Sequence, residues 1–288
     1  MKRRDMLKLT SAALGLSALP LGSLLAADTK PKRILYFTRS AGYEHSVVHR
    51  QGGQLAFSEK ILTEMGKKAG YEVECSQDGR LFDGDLAAYD AFAFYTSGNL
   101  TSPQGNGKPM TAAGKQRLLD AVGGGKGFLG LHACTDSFRS NDVKAALDPF
   151  LAMVGAEFVA HDAQQEATLR IVSQFPGIAK LGRGRDITLL EEWYAHWKFV
   201  KDLHVILVQE TKGMKGPHYQ RPPYPATWAR KHGQGRVFYT SLGHREDIWT
   251  NPVFQGITLA GLAWITGRVA FDPNPNIDEV APGANQEK

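Results

Sequence analysis

The sequence predicts an α/β protein built on one mostly parallel sheet with helices on both faces. Three observations carry this. Short, uniformly apolar runs at residues 33–38, 91–95 and 127–131 have the length and composition of buried strands. Stretches with helical spacing separate them, and no internal repeat or Ser- or Pro-rich linker divides the chain. Strands that are apolar on both sides belong to sheets covered on both faces. With 288 residues, 42% of them hydrophobic, the chain buries a core without disulfide or metal staples, which excludes a staple-dependent mini-protein, a disordered tail and a coiled coil. One domain over residues 28–270 is the simplest organisation.

The elements follow in order. Residues 33–38 form the first strand, and Leu55, Ile61, Leu62 and Met65 fall at helical spacing over residues 51–69 before Gly70 stops the helix. Residues 71–75, 91–95 and 127–131 are the next three strands, with a helix over 111–122 between the last two. Residues 142–154 read as helical, with Pro149 expected to break or kink the run. Alternating stretches at 166–172, 189–193, 205–209, 227–230 and 236–240 read as later, partly antiparallel strands of the same sheet. Ile257, Leu259, Leu262, Ala263 and Ile265 mark a closing helix over 256–266, and the Pro-, Asn- and Gly-rich tail from 271 to 288 reads as disordered.

The first 27 residues read as an address. Lys2, Arg3, Arg4 and Lys8 precede a moderately apolar run interrupted by Gly15, Pro20 and Gly22 and followed by Ala26-Ala27. This is the pattern of a signal peptide with a twin-arginine start, although Met6 stands where that pattern has Phe and Lys2 where it has Ser or Thr. The breaks disfavour a membrane anchor, so the expectation is export, in the periplasm or its equivalent, with no stable membrane span after leader removal. Those basic residues account for most of the formal charge of +5, and no Lys/Arg run occurs past residue 33. A nucleic-acid partner is therefore not expected. Cys75 and Cys134 fall on different predicted elements, and their pairing is not determined by sequence.

Chemistry is suggested by where the histidines fall. His45 follows the first strand, His132 caps the fourth, and His244 ends a late strand. In an open α/β sheet the carboxyl ends of the parallel strands share one edge, so residues far apart in sequence converge there. Glu191 and Glu192 are adjacent on a predicted strand and point to opposite faces, so they cannot jointly flank one bond with carboxyls roughly 5–9.5 Å apart as a glycosidase pair does. Glu191 is read as a solvated surface charge, and Glu192, beside Trp193 and Tyr194, as the acid, base or metal ligand. Tyr43, Tyr194 and Trp228 are aromatic faces suited to sugar rings.

Several signatures are missing. The glycine-rich stretch at 123–127 precedes a strand instead of joining a strand to a helix, so it is a turn and not a phosphate cradle. Cys134 lies near a strand-to-helix turn, yet His132, two residues after Gly130, occupies the nucleophile position, which argues against a thiol mechanism.

Gly42-Tyr43-Glu44-His45, Gly130-Leu131-His132, Glu192-Trp193-Tyr194, Pro225-Ala226-Thr227-Trp228 and above all the run from Gly235 to His244 resemble the trehalose-utilisation (ThuA-like) family, over about residues 33–267. The resemblance implies a flavodoxin-like α/β fold related to class I glutamine amidotransferases without their catalytic cysteine. It also implies sugar catabolism alongside an oxidoreductase that makes 3-keto-glycosides. The family's Asp-Glu-Leu-Tyr reads Glu191-Glu192-Trp193-Tyr194 here, and its Gly-His-Pro reads Ala160-His161-Asp162, which leaves a role for His161 open.

A ketone at C3 acidifies the C2 proton, so a modest base can start an elimination that expels the C1 substituent. His132 or His45 is expected as base. His244, with a divalent metal such as zinc or manganese as a further option, is the electrophile. Glu192 is the acid for the leaving group, and Arg245 contacts sugar hydroxyls. Two other classes stay open: a metal-dependent hydrolase or isomerase of ordinary sugars with His45, His132 and His244 as ligands, and a non-catalytic sugar-binding module.

Overall fold

The computed structural model describes residues 30–181 and 186–286; the expected leader lies outside them. The sheet is built from β1 (Lys32–Phe37), β2 (Tyr71–Ser76), β3 (Ala91–Phe94), β4 (Gly127–Leu131), β6 (Gln165–Ile171), β7 (Ile187–Glu191), β9 (His204–Gln209), β10 (Tyr224–His232) and β11 (Gly235–Thr240), in the order β2-β1-β3-β4-β11-β10-β9-β6-β7. β2, β1, β3, β4 and β11 are parallel, and every later pairing is antiparallel. Two sign reversals restore direction, so β9 and β7 run the same way as β11. A separate pair, β5 (Glu157–Ala160) with β8 (Ala195–Trp197), lies off the main sheet.

Alternation along the central strands divides the core in two. Ile34, Tyr36, Leu129 and Phe238 join one apolar cluster, while Leu35, Phe37, Phe92, Phe94 and Phe128 join the other. Both faces are buried, as the uniform apolarity of those strands requires.

The helices sit where the caps allow. α1 (Phe57–Lys68) starts later than the spacing suggests, because Gly52 and Gly53 both take positive φ and turn the chain before it. Its start is fixed by Glu59, whose carboxylate accepts the Ala56 N–H at 2.8 Å. α2 (Ala112–Gly123) is capped by Thr111, whose hydroxyl accepts from Gly114 N at 2.9 Å. The helix expected over 142–154 shrinks to α3 (Pro149–Val154). Pro149 opens it instead of kinking it, since the first helical position needs no N–H, and Asp148 caps it. α4 (Glu246–Thr250) and α5 (Pro252–Ile265) follow β11.

The expected disorder of residues 271–288 is corrected over 271–286. Asn276 accepts from Val205 N at 2.6 Å and donates to Val205 O, and Asn285 pairs with Phe199 N and O, both at 2.8 Å. Around the short α6 (Ile277–Val280), Ile277, Ala281 and Ala284 are buried. The asparagine amides thus mimic a strand's donor–acceptor pair, which composition alone reads as polar disorder.

Candidate functional site

His45 lies beyond β1, His132 directly follows β4, His244 follows β11, and Glu192 follows β7. All four strands run in one direction, so all four side chains emerge at one edge of the sheet. Glu192 Oε2 stands 3.0 Å from His244 Nδ1, 3.4 Å from His132 Nε2 and 3.9 Å from His45 Nε2. The three imidazole centroids are 5.1 to 5.3 Å apart. His161, whose role the sequence left open, brings Nδ1 to 3.3 Å from the other carboxylate oxygen.

The local structure fixes the rings. His132 adopts φ +40°, a left-handed conformation that costs a residue with a side chain on the order of 1–3 kcal/mol. Two bonds hold it there: its Nδ1–H donates to Ser241 O at 2.7 Å, and the Tyr239 hydroxyl donates to His132 O at 2.7 Å. Tyr239 is itself 3.1 Å from both Thr135 Oγ1 and His196 Nε2 in a buried network. With Nδ1 committed, His132 Nε2 carries the lone pair and faces the carboxylate.

Glu191 supplies a second brace. Its carboxylate is fully buried and accepts the N–H groups of Glu192 at 2.8 Å, Gly243 at 2.9 Å and His244 at 3.2 Å. The reading of Glu191 as a solvated charge is corrected: burial pushes its carboxyl up to about 7 against those donors. Burial raises the Glu192 carboxyl too, but His132, His244 and His45 outweigh it and hold the group well below the usual carboxylate range. Burial lowers His132 to about 3 and also lowers His45. For His244, burial lowers the ring and the Glu192 carboxylate more than reverses it.

His45, His132, Glu192 and His244 each offer a ligand atom, all within 4.8 Å of one another, and could hold a metal ion. Nε2 of His132 and Nδ1 of His244 are buried and make no hydrogen bond, although the carboxylate is near. A lone pair turned toward a carboxylate, as that of His132 Nε2 is, repels it unless a proton or a cation lies between them. A tetrahedral zinc site with bonds of about 2.0–2.1 Å places its ligand atoms roughly 3.4 Å apart, which the spacing around Glu192 Oε2 matches. Three nitrogens and one oxygen suit zinc or manganese.

Beside the cluster lies a cavity of about 660 Å³ lined by residues that include Tyr43, His45, Asp136, Arg139, His161, Glu192 and Tyr194, a volume in the range of small-molecule sites. Tyr43 is 68% exposed and meets His45 edge-on at 4.9 Å. The Tyr194 ring lies 4.0 Å from that of His132, tilted by 39°. Trp228 is not brought here, which corrects its expected role as a sugar platform. It is fully buried in the other core cluster, its Nε1–H donates to Val154 O at 2.8 Å, and its ring lies 4.3 Å from Tyr239. Arg245 does not line the cavity, because its guanidinium is engaged by Asp247 and Gln164. Cys134 is buried, burial pushes its thiol well up, and it and Cys75 are free thiols. Asp136, Arg139, Asn99, Asn141 and Phe158 were not anticipated. Asp136 alone carried a signal, as a carboxylate closing the turn that His132 begins.

The fold is similar to that of a ThuA-like protein from Bacteroides uniformis (TM-score 0.60, 15% identity, covering 83% of this chain and 94% of that one). A ThuA-like protein from Parabacteroides merdae is similar as well (TM-score 0.59, 16% identity, covering 84% and 93%). No curated protein matches the chain. The family described as trehalose utilisation, ThuA, matches residues 33–265, four-fifths of the sequence, and the chain belongs to that family.

Proposed function

We propose that this protein is a carbohydrate-catabolic enzyme that cleaves 3-keto-glycosides. Family membership supports the carbohydrate-related role; the observation that carries the chemistry is three imidazoles gathered on one carboxylate at a cavity wall. A zinc- or manganese-type cation held by His45, His132, His244 and Glu192 would supply electrophilic stabilisation for an enediolate oxygen.

The chain's own residues divide the remaining work. His132 is fully buried with Nδ1 committed to Ser241, so the role of base passes from it to His161. The His161 ring lies parallel to Tyr194, and its Nδ1 is engaged by Asp162 O at 3.1 Å and Glu192 at 3.3 Å. That leaves Nε2 with the lone pair to take the C2 proton. The Glu192 carboxylate sits among the imidazoles of His45, His132 and His244 as part of the set that could hold a cation, so the proton for the leaving group is sought elsewhere in the cavity. Tyr43 offers an exposed face to the sugar ring, whereas the buried Tyr194 ring is covered by His132 and Phe158, which corrects its expected contact with substrate.

The ketone would come from a sugar oxidoreductase acting first, and the leader expected over residues 1–27 would put the reaction after export. Cell fractionation with a leader-deleted control tests the latter. The reaction is tested by incubating the protein with a panel of 3-keto-glycosides, with and without EDTA. Release of aglycone that stops with EDTA and returns with zinc or manganese is the expected result. Thermal stabilisation by sugars with no product would overturn catalysis in favour of a binding module.

A further inference from the structure

The cavity holds a second carboxyl. Asp136 closes the turn that begins at His132, so one short segment of backbone carries both a cluster imidazole and this acid. Its side chain is 13% exposed, and it lines the cavity with His161 and Glu192. Oδ1 is buried and accepts no hydrogen bond: Arg139 Nε is 2.7 Å away but out of line, while the same guanidinium donates through Nη1 to Val159 O at 3.3 Å and lies over the Phe158 ring. Tyr194 is the other titratable group coupled to it. Burial, opposed by Arg139 and Gly98, pushes the carboxyl up to about 6, which keeps a usable fraction protonated close to neutrality.

An elimination needs a proton on the departing oxygen, and among the residues lining the cavity Glu192 and Asp136 are the two carboxyls. Glu192 is occupied by imidazoles. We infer that Asp136 is the general acid that protonates the leaving group, and that Arg139 positions it. The inference rests on the reading of the site as a 3-keto-glycoside cleaving centre. His161 takes the C2 proton, and the C1–O bond breaks with its electron pair on the aglycone oxygen. The Asp136 O–H gives that oxygen its proton, and the aglycone departs as an alcohol. The Asp136 carboxylate then takes a proton from the water that adds at C1, C2 regains its proton from His161, and the sum is 3-keto-glycoside plus water giving 3-keto sugar plus alcohol.

The test compares leaving groups in D136N, which keeps shape and polarity. On 3-keto-trehalose, whose sugar leaving group needs protonation, turnover is expected to fall about 10²–10⁴-fold. On the 4-nitrophenyl 3-keto-glucoside, whose phenolate leaves unaided, the fall is expected to stay under about tenfold, the difference being the general-acid contribution. D136E should recover part of the trehalose activity. Equal losses on both substrates, in a variant whose circular dichroism matches wild type, would make Asp136 a binding or structural residue and overturn the assignment. No loss on either would do the same. A wild-type protein inert toward both substrates would overturn the reading of the site and the acid with it, which separates that failure from loss in D136N alone.

Discussion

Glu191 neither lines the cavity nor contributes a ligand atom, yet three N–H groups of the site-bearing loops converge on it, and Glu191→Ala isolates what that brace is worth. The variant orphans the N–H groups of Glu192, Gly243 and His244, now bonded at 2.8, 2.9 and 3.2 Å. An unsatisfied buried donor costs about 1–3 kcal/mol, so three give an upper bound near 9 kcal/mol. Two effects reduce it: the space left by the carboxylate is polar and can admit a water with two or more partners, and the variant removes the cost of burying the acid itself. A net loss of about 2–4 kcal/mol is expected. Because the brace ties the loop carrying His244 to the residue beside Glu192, turnover and metal retention should fall along with stability. Urea denaturation with a fixed slope gives the first quantity, and metal content after gel filtration the second. A midpoint shift worth less than about 0.5 kcal/mol, or full metal content in a destabilised variant, would refute the idea that Glu191 holds the two loops together.

Three further outcomes are expected. H132A should lose turnover of 3-keto-glycosides by at least two orders of magnitude together with bound metal, while circular dichroism shows the fold intact; unchanged activity removes the residue from the mechanism. Asn285→Ala leaves Phe199 N and O without partners and should cost about 1–3 kcal/mol in chemical denaturation, whereas a disordered tail would make the substitution silent. Asp136 has a folded pKa of about 6, above that of an unfolded aspartate. Its contribution to stability is therefore fully present below about pH 4 and lost as pH rises through 6, so D136N should gain on wild type between those values, by about 3 kcal/mol, and no further above pH 7; a constant difference across that range would show that the group titrates normally.

The β1–β4 half was legible because apolar runs and helical periods are local properties, and the histidine cluster because strand ends share an edge whatever the loops do. His161 and Asp136 were not, since they sit outside the regular strands and their direction is set by packing: His161 by the Tyr194 ring, Asp136 by the turn that the left-handed His132 forces. Trp228 was misassigned for a related reason. β10 is buried at seven consecutive positions from Tyr224 to Arg230, so alternation carries no information about which face looks into a cavity. Glu191 is the sharper case. That adjacent carboxylates must point to opposite sides was sound and separated it from Glu192, but the further step, that the opposite side is water, fails on β7, whose positions alternate between buried Ile187 and Glu191 and exposed Thr188 and Leu190, so that Glu191 shares the core-facing side with Ile187. A carboxylate on the core-facing side of a strand end must be paired with donors. The donors within reach are backbone N–H groups of neighbouring loops at the same sheet edge, which are the loops that carry the site. A charged neighbour of a site residue that faces the core at a strand end is therefore expected to brace the site.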